Sequence, residues 1–238
     1  MDADDVSLPK RFENQVAFFD RAQSTVLLGT DSVEINSKGG LVKINTYPSK
    51  HHDLVDNLKK RKRFFSHSSV MFRTDSFKRI GGYNPRFLLS SDCDLWFRLA
   101  EYGSIGCLNV PLVKIRQHSL NISKSQGGQT QLLYAMAATI CYFLRNKGIT
   151  DPCACQNDSN WQMFLTWLTP KVEQTGYFVV RDKWKHMRQD YYSQSDNLAR
   201  WVQLINNIIF SGCACWLIYE KFFGTNLPEI LADEWSSK

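Results

Sequence analysis

Several familiar chemistries are missing from this sequence. No Gly-rich phosphate loop and no Ser-His-Asp pattern stand out, so nothing in it points to P-loop nucleotide chemistry or triad-type acyl transfer. Neither zinc-finger spacing nor an aromatic–basic module accompanies its one basic run, Lys59-Lys60-Arg61-Lys62-Arg63. That run reads as a solvated loop able to touch an anionic membrane surface, and no nucleic acid is expected as partner. The N-terminus shows no basic region followed by an apolar core, so no secretory signal places the 7 cysteines, an odd count, in an oxidising compartment. A reducing, cytoplasmic setting is expected, peripheral to the membrane at most. An uninterrupted apolar run of ~20 residues, the length of a membrane span, is also missing. Residues 132–144 are broken by Thr139, and residues 201–219 by Gln203, Asn206, Asn207, Ser211 and Gly212. Both read as buried or interfacial helices. No internal repeat is present.

What remains is ordinary for a folded chain. Of 238 residues, 43% are apolar and 22% charged, enough for one large domain or two small ones. The charge, 29 basic less 23 acidic residues, is +6 and invites anionic partners such as phosphates or anionic lipids.

The pattern along the chain is mixed. Ser7-Leu8-Pro9 signals a helix start, and the helix runs to about Arg21 with Phe12, Val16 and Phe19 on one buried face. Residues 25–28 and 33–35 are β-prone, and 36–40 form a turn into a returning strand at 41–45. A short helix is expected around 54–58, a strand at 68–73, a helix at 74–79 and a left-handed stop at Gly81-Gly82. Ser90 and Ser91 offer N-caps for a helix over 92–102, closed by Gly103. Short β-like runs flank Pro111 within 105–115. After a polar linker at 119–128 the chain turns helical. Residues 129–144 place Leu132, Met136, Ile140 and Phe143 on one face, and two or three more helices follow. The fold class is therefore α/β for residues 1–122, followed by a mainly α-helical extension, 123–238.

Two acidic clusters stand out. Asp2, Asp4 and Asp5 crowd three carboxylates together, which suits a hard divalent ion such as Mg²⁺ or Mn²⁺; helix-start acids are the plainer alternative. No strand precedes this cluster to hold it, so it is expected to be loosely tied. Asp92, in Ser90-Ser91-Asp92-Cys93-Asp94, could be a carboxylate kept ionised by the helix dipole and ready to accept a proton, or simply a first-turn acid. Gly81-Gly82 could let backbone approach a bound group, or make a turn. Cys153-Ala154-Cys155 and Cys213-Ala214-Cys215 could form a four-thiolate zinc site, although their spacing is shorter than usual; free buried thiols are the alternative.

The order of these pieces resembles a known family. Asp2-Ala3-Asp4-Asp5 before a Leu-Pro helix, then Val70-Met71-Phe72-Arg73, Gly81-Gly82-Tyr83, Asp92-Cys93-Asp94-Leu95-Trp96-Phe97-Arg98-Leu99 and Arg116-Gln117-His118, is similar to family 2 glycosyltransferases of the GT-A fold over residues 1 to about 122. The resemblance implies inverting transfer from a nucleotide-sugar donor, a UDP-sugar foremost, to a hydroxyl of a glycan or lipid-linked glycan, in cell-surface polysaccharide or glycolipid synthesis. It assigns Asp2 and Asp4 to the metal that holds the donor diphosphate, with Asp5 beside them on the donor side and His118 near the metal. Asp92 becomes the catalytic base, and Gly81, Gly82 and Tyr83 shape the acceptor side. The family usually carries an acid just before the base, where this chain has Ser91. The nucleotide-binding strands that precede the acidic motif in the family have no counterpart here. The resemblance thus leaves a fragment, an internally started reading frame, or a separate N-terminal half supplied as a partner, and a non-catalytic remnant or partner-binding module of the same fold is the alternative.

Overall fold

The computed structural model describes residues 1–62, 64–117, 127–154, 158–174 and 226–237. Five strands form one mixed sheet: β1 (Val6–Ser7), β2 (Thr25–Ile35), β3 (Leu41–Asn45), β4 (Met71–Phe72) and β5 (Ser104–Arg116). Their order is β1-β5-β2-β3, with β4 also pairing β2. Only β2 and β5 run parallel; the other pairings are antiparallel. The helices are α1 (Arg11–Arg21), α2 (His51–Lys59), α3 (Thr74–Arg79), α4 (Ser91–Tyr102), α5 (Gly127–Asn146), α6 (Asp158–Gln174) and α7 (Leu227–Ser236). The chain is thus mixed α/β followed by a mainly helical region, consistent with part of a Rossmann-like domain.

The centre is β2, buried throughout residues 25–32 because it is flanked in the sheet and covered on its faces. A side chain at Gly29 would put its Cβ 2.2 Å from the Phe65 ring, so only glycine lets that ring lie on the strand. Where separate runs were expected about Pro111, a single 13-residue strand is found. The register shifts where Asp31 meets Pro111, and this bulge accommodates a residue with no N–H to give. The turn at 36–40 is as expected: the Asn36 side-chain oxygen accepts the N–H groups of Lys38 (3.0 Å) and Gly40 (2.9 Å). Strand 68–73 shrinks to β4, preceded by a 3₁₀ turn at His67–Ser69.

Helix α1 ends where expected and buries Phe19 as expected, but its inward face is rotated from the one expected. Phe12 and Val16 are 61% and 49% exposed, and Arg11, Gln15 and Phe19 are the buried positions. Polar donors turn inward because carbonyls near the sheet need them. Gln15 Nε2 donates to the carbonyls of Leu28 (3.1 Å) and Ser69 (2.9 Å), and Arg11 Nη2 to that of Val70 (2.9 Å). Buried carbonyls without donors are costly, and this outweighs hydrophobic periodicity. Burial also lowers the pKa of Arg11.

On the sheet lies α4, with Leu95, Trp96, Phe97 and Leu99 buried. Helix α5 packs on α4, and α6 and α7 pack on α5. The expectation of one apolar face on α5 is too narrow. Ala135, Ala137, Ala138, Thr139, Cys141 and Leu144 are buried along with Met136 and Ile140. Thr139 is accommodated by donating its hydroxyl to Ala135 O at 2.8 Å. Sheet, α4 and the later helices share one hydrophobic core, in which Phe97 stacks on Tyr142 at 4.6 Å and Phe164 meets Trp235 edge-on at 5.1 Å. Among the described residues no helix is long and apolar enough to cross a membrane. Residues 201–219 lie outside the described residues.

Candidate functional site

The acidic segment is held, contrary to expectation, from the far end of β5. Strand β1 pairs with it, Val6 opposite Lys114 and Ser7 opposite Val113, and Leu8 N donates to Leu112 O at 2.9 Å. Arg116 supplies the rest. Its N–H donates to Asp5 Oδ1 (2.9 Å), its Nε to Asp4 O (3.1 Å) and its Nη1 to the carbonyls of Asn36 and Ser37 (3.3 Å each). Asp5 is therefore a buried anchor, whereas Asp2 is exposed and Asp4 half-buried. Asp2 N donates to Ser68 Oγ at 3.2 Å, which places the acidic segment beside the 3₁₀ turn.

Asp92 sits in the first turn of α4. The residue before the helix, Ser90, is left-handed (φ 55°) and makes no side-chain cap. Its hydroxyl instead donates to Gln131 O at 2.8 Å, joining α4 to α5. A non-glycine residue in this region stores ~1–3 kcal/mol of strain, a feature that clusters at functional sites. Asp92 Oδ1 accepts the Cys93 N–H at 2.8 Å. The helix start was expected to keep this carboxylate ionised, but burial dominates and raises its pKa. The charge of His67 and the N–H bonds work against that rise, and the charge of Asp2 adds to it. A carboxylate poised this way is a stronger base for a hydroxyl proton than an exposed one.

The residue that sequence reasoning missed is His67. Its Nε2 lies 2.9 Å from the Tyr83 hydroxyl, and its charge acts on Asp92. Burial and the Asp92 charge both raise the pKa of Tyr83. The pair is open to solvent, with Tyr83 41% exposed. Gly81 and Gly82 are a turn: both have positive φ (82° and 69°), and their N–H groups close α3 on Lys78 O and Phe77 O. The turn is fixed from α4, where Arg98 donates to Ile80 O and Gly82 O, both at 2.8 Å, and is itself held by fully buried Asp94 at 2.6 Å. Burial raises the pKa of Asp94 against the opposing pull of Arg98. Asp94 and Arg98 thus fix the turn that presents Tyr83 to His67 beside Asp92.

The structure therefore brings Asp2, His67, Tyr83 and Asp92 to one open edge, with Asp4 next to Asp2 and Gly81-Gly82 behind Tyr83. His118 lies outside the described residues, as do Cys155, Cys213, Cys215 and Arg63. The rest of the basic run closes α2, with Lys60 paired to Asp56 at 2.9 Å. Among the described residues Cys153 meets Cys141 and Asp151.

No protein-family model matches the chain. It is similar to curated glycosyltransferases. The amylovoran biosynthesis glycosyltransferase AmsE of Erwinia amylovora is 31% identical over 129 residues, 53% of this chain and 47% of that protein. The O-antigen biosynthesis glycosyltransferase WbnJ of Escherichia coli is 30% identical over 159 residues, 65% of this chain and 59% of that protein. An uncharacterized glycosyltransferase of Haemophilus influenzae is 28% identical over 130 residues. The chain spans about half the length of the curated relatives it matches.

Proposed function

We propose that these residues form the acceptor side and catalytic edge of an inverting family 2 glycosyltransferase with a partial GT-A fold. The observation that carries the reading is the convergence of half-buried Asp92 and His67 with exposed Tyr83 and Asp2, from four separate stretches of sequence, onto one edge. Similarity to glycosyltransferases of amylovoran and O-antigen biosynthesis supports transfer to a glycan or lipid-linked glycan.

In this reading Asp92 accepts the proton of the attacking hydroxyl, its carboxylate steered by the Cys93 N–H and the charge of His67. Tyr83 and His67 present hydrogen-bonding groups to an acceptor sugar at the solvent-facing rim. The all-oxygen donor set of exposed Asp2 and half-buried Asp4 fits Mg²⁺ or Mn²⁺, which need only one or two carboxylates when phosphates complete the shell. Asp5, spent on Arg116, holds the loop. Such an ion supplies charge neutralisation for a departing nucleoside diphosphate. The donor is proposed to be a nucleotide sugar, a UDP-sugar foremost.

The test is calorimetry with nucleoside diphosphates and metal. A protein completed to the length of the relatives is expected to bind with a micromolar Kd only when Mg²⁺ or Mn²⁺ is present, and Asp2→Asn or Asp4→Asn to weaken this at least about tenfold, ~1.4 kcal/mol. The chain alone is expected to reach at best millimolar affinity, about −4 kcal/mol. Micromolar, metal-dependent binding by the chain alone would show that it holds the whole donor site. Metal-independent behaviour of the completed protein would favour a non-catalytic member of the fold.

A further inference from the structure

Far from Asp92 in function, the segment after α5 folds back onto that helix. Gly148 (φ 71°) ends α5 and Ile149 N donates to Leu144 O at 3.0 Å, so Asp151 and Cys153 return to lie against Cys141. One ligand atom from each of the three lies within 4.8 Å of the others, and the residues are 0% (Cys141), 2% (Asp151) and 4% (Cys153) exposed. Asp151 is already oriented. Its Oδ2 accepts Arg145 Nη1 at 2.7 Å, and its Oδ1 accepts the Ala154 N–H at 2.8 Å and the Cys153 S–H at 2.9 Å. The S–H proton thus occupies the line between the two atoms that a cation would join. On the neighbouring Asp94–Arg98 pair, Asp94 Oδ1 is buried with no hydrogen-bond partner among the described residues.

We propose that Cys141, Asp151 and Cys153 form a binding site for a zinc ion, with both sulfurs and Asp151 Oδ1 as protein ligands and a water in the fourth position. Two sulfurs with one carboxylate oxygen suit a borderline-soft ion, and Arg145 with the Ala154 N–H supplies the outer partners that fix a ligating carboxylate. On binding, two S–H bonds break and two Zn–S bonds form; both protons leave to solvent and nothing is oxidised or reduced. The ion acts as a clasp. Cys153 O accepts Arg86 Nη1 at 2.7 Å, and Arg86 also pairs with Asp158 at 2.8 Å, so the site ties α5 and α6 to the segment that follows Tyr83.

The full chain, purified under reducing conditions from zinc-supplemented cells, is expected to carry about one zinc per molecule by elemental analysis. Cobalt replacement in the wild-type chain is expected to give a thiolate-to-cobalt charge-transfer band, a readout that needs no variant. Chelation should lower the Tm, with zinc but not magnesium restoring it. Cys141→Ser and Cys153→Ser should each lose the metal and the band, while Cys107→Ser, which alters a buried thiol on β5 outside the cluster, should keep both. The proposal is overturned if folded wild-type chain takes up neither ion, if the metal survives in both serine variants, or if Cys141 and Cys153 are found joined as a disulfide under these conditions.

Discussion

The edge that carries Asp2, His67, Tyr83 and Asp92 and the helical block around α5 use polar groups in opposite ways. At the edge, charged and hydrogen-bonding side chains remain partly open to solvent, and strain is retained at Ser90. Around α5 the buried charges among the described residues sit in ion pairs: Arg145 bridges Glu101 (2.8 Å) and Asp151 (2.7 Å), and despite burial its pKa is raised by both. The block packs against the element that carries Asp92, and the proposed ligand edge keeps its polar groups nearer the solvent. The link between them is Ser90, bonded to α5 and adjacent to the helix that carries Asp92.

The largest stability effect should therefore fall in the block. Arg145→Met strands a buried Asp151 carboxylate and is expected to destabilise the chain by ~3–5 kcal/mol, read from chemical denaturation; a loss below ~1 kcal/mol would show that the bridge is dispensable. Next comes a paired test on α1. Gln15→Ala removes a buried donor from two carbonyls and should cost about 1–3 kcal/mol, whereas Phe12→Ser on the exposed side should change stability by less than about 0.5 kcal/mol. Equal effects would mean that the apolar face of α1, not its polar one, is the packed face.

The smallest effect is electrostatic. Because the pKa of Asp92 is raised on folding, the folded chain holds that proton more tightly than the unfolded one. The associated stability is present below the unfolded carboxyl range and is lost as pH rises through the folded value. Asp92→Asn should then gain on wild type between acid and neutral pH, seen as a Tm difference that opens as pH rises. A constant difference across that range would remove the raised pKa from the account.

Much of this architecture was legible because it is local. The α3 limits, the 36–40 turn, the glycine stop and the start of α4 all follow from residues within a few positions of each other. The inward face of α1 was not, since Gln15 serves Ser69 and Arg11 serves Val70, 54 and 59 positions away. The same holds for His67, whose partners Tyr83 and Asp92 are brought to it by the fold. Single strands also hid behind interruptions, as β5 did behind Pro111, because a bulge leaves no mark in composition. The role of Asp5 separated from that of Asp2 and Asp4 only when Arg116, 111 positions on, was seen to occupy it.

The most direct test is transfer by a protein completed to the length of its relatives, comparing wild type with Asp92→Asn at matched donor saturation. Removing a positioned general base is expected to lower kcat by about 10²–10⁴-fold while leaving metal-dependent binding of the nucleotide sugar unchanged, since the amide keeps the shape but takes no proton. Transfer by Asp92→Asn at a rate near that of wild type would contradict the assignment of this edge as the catalytic one.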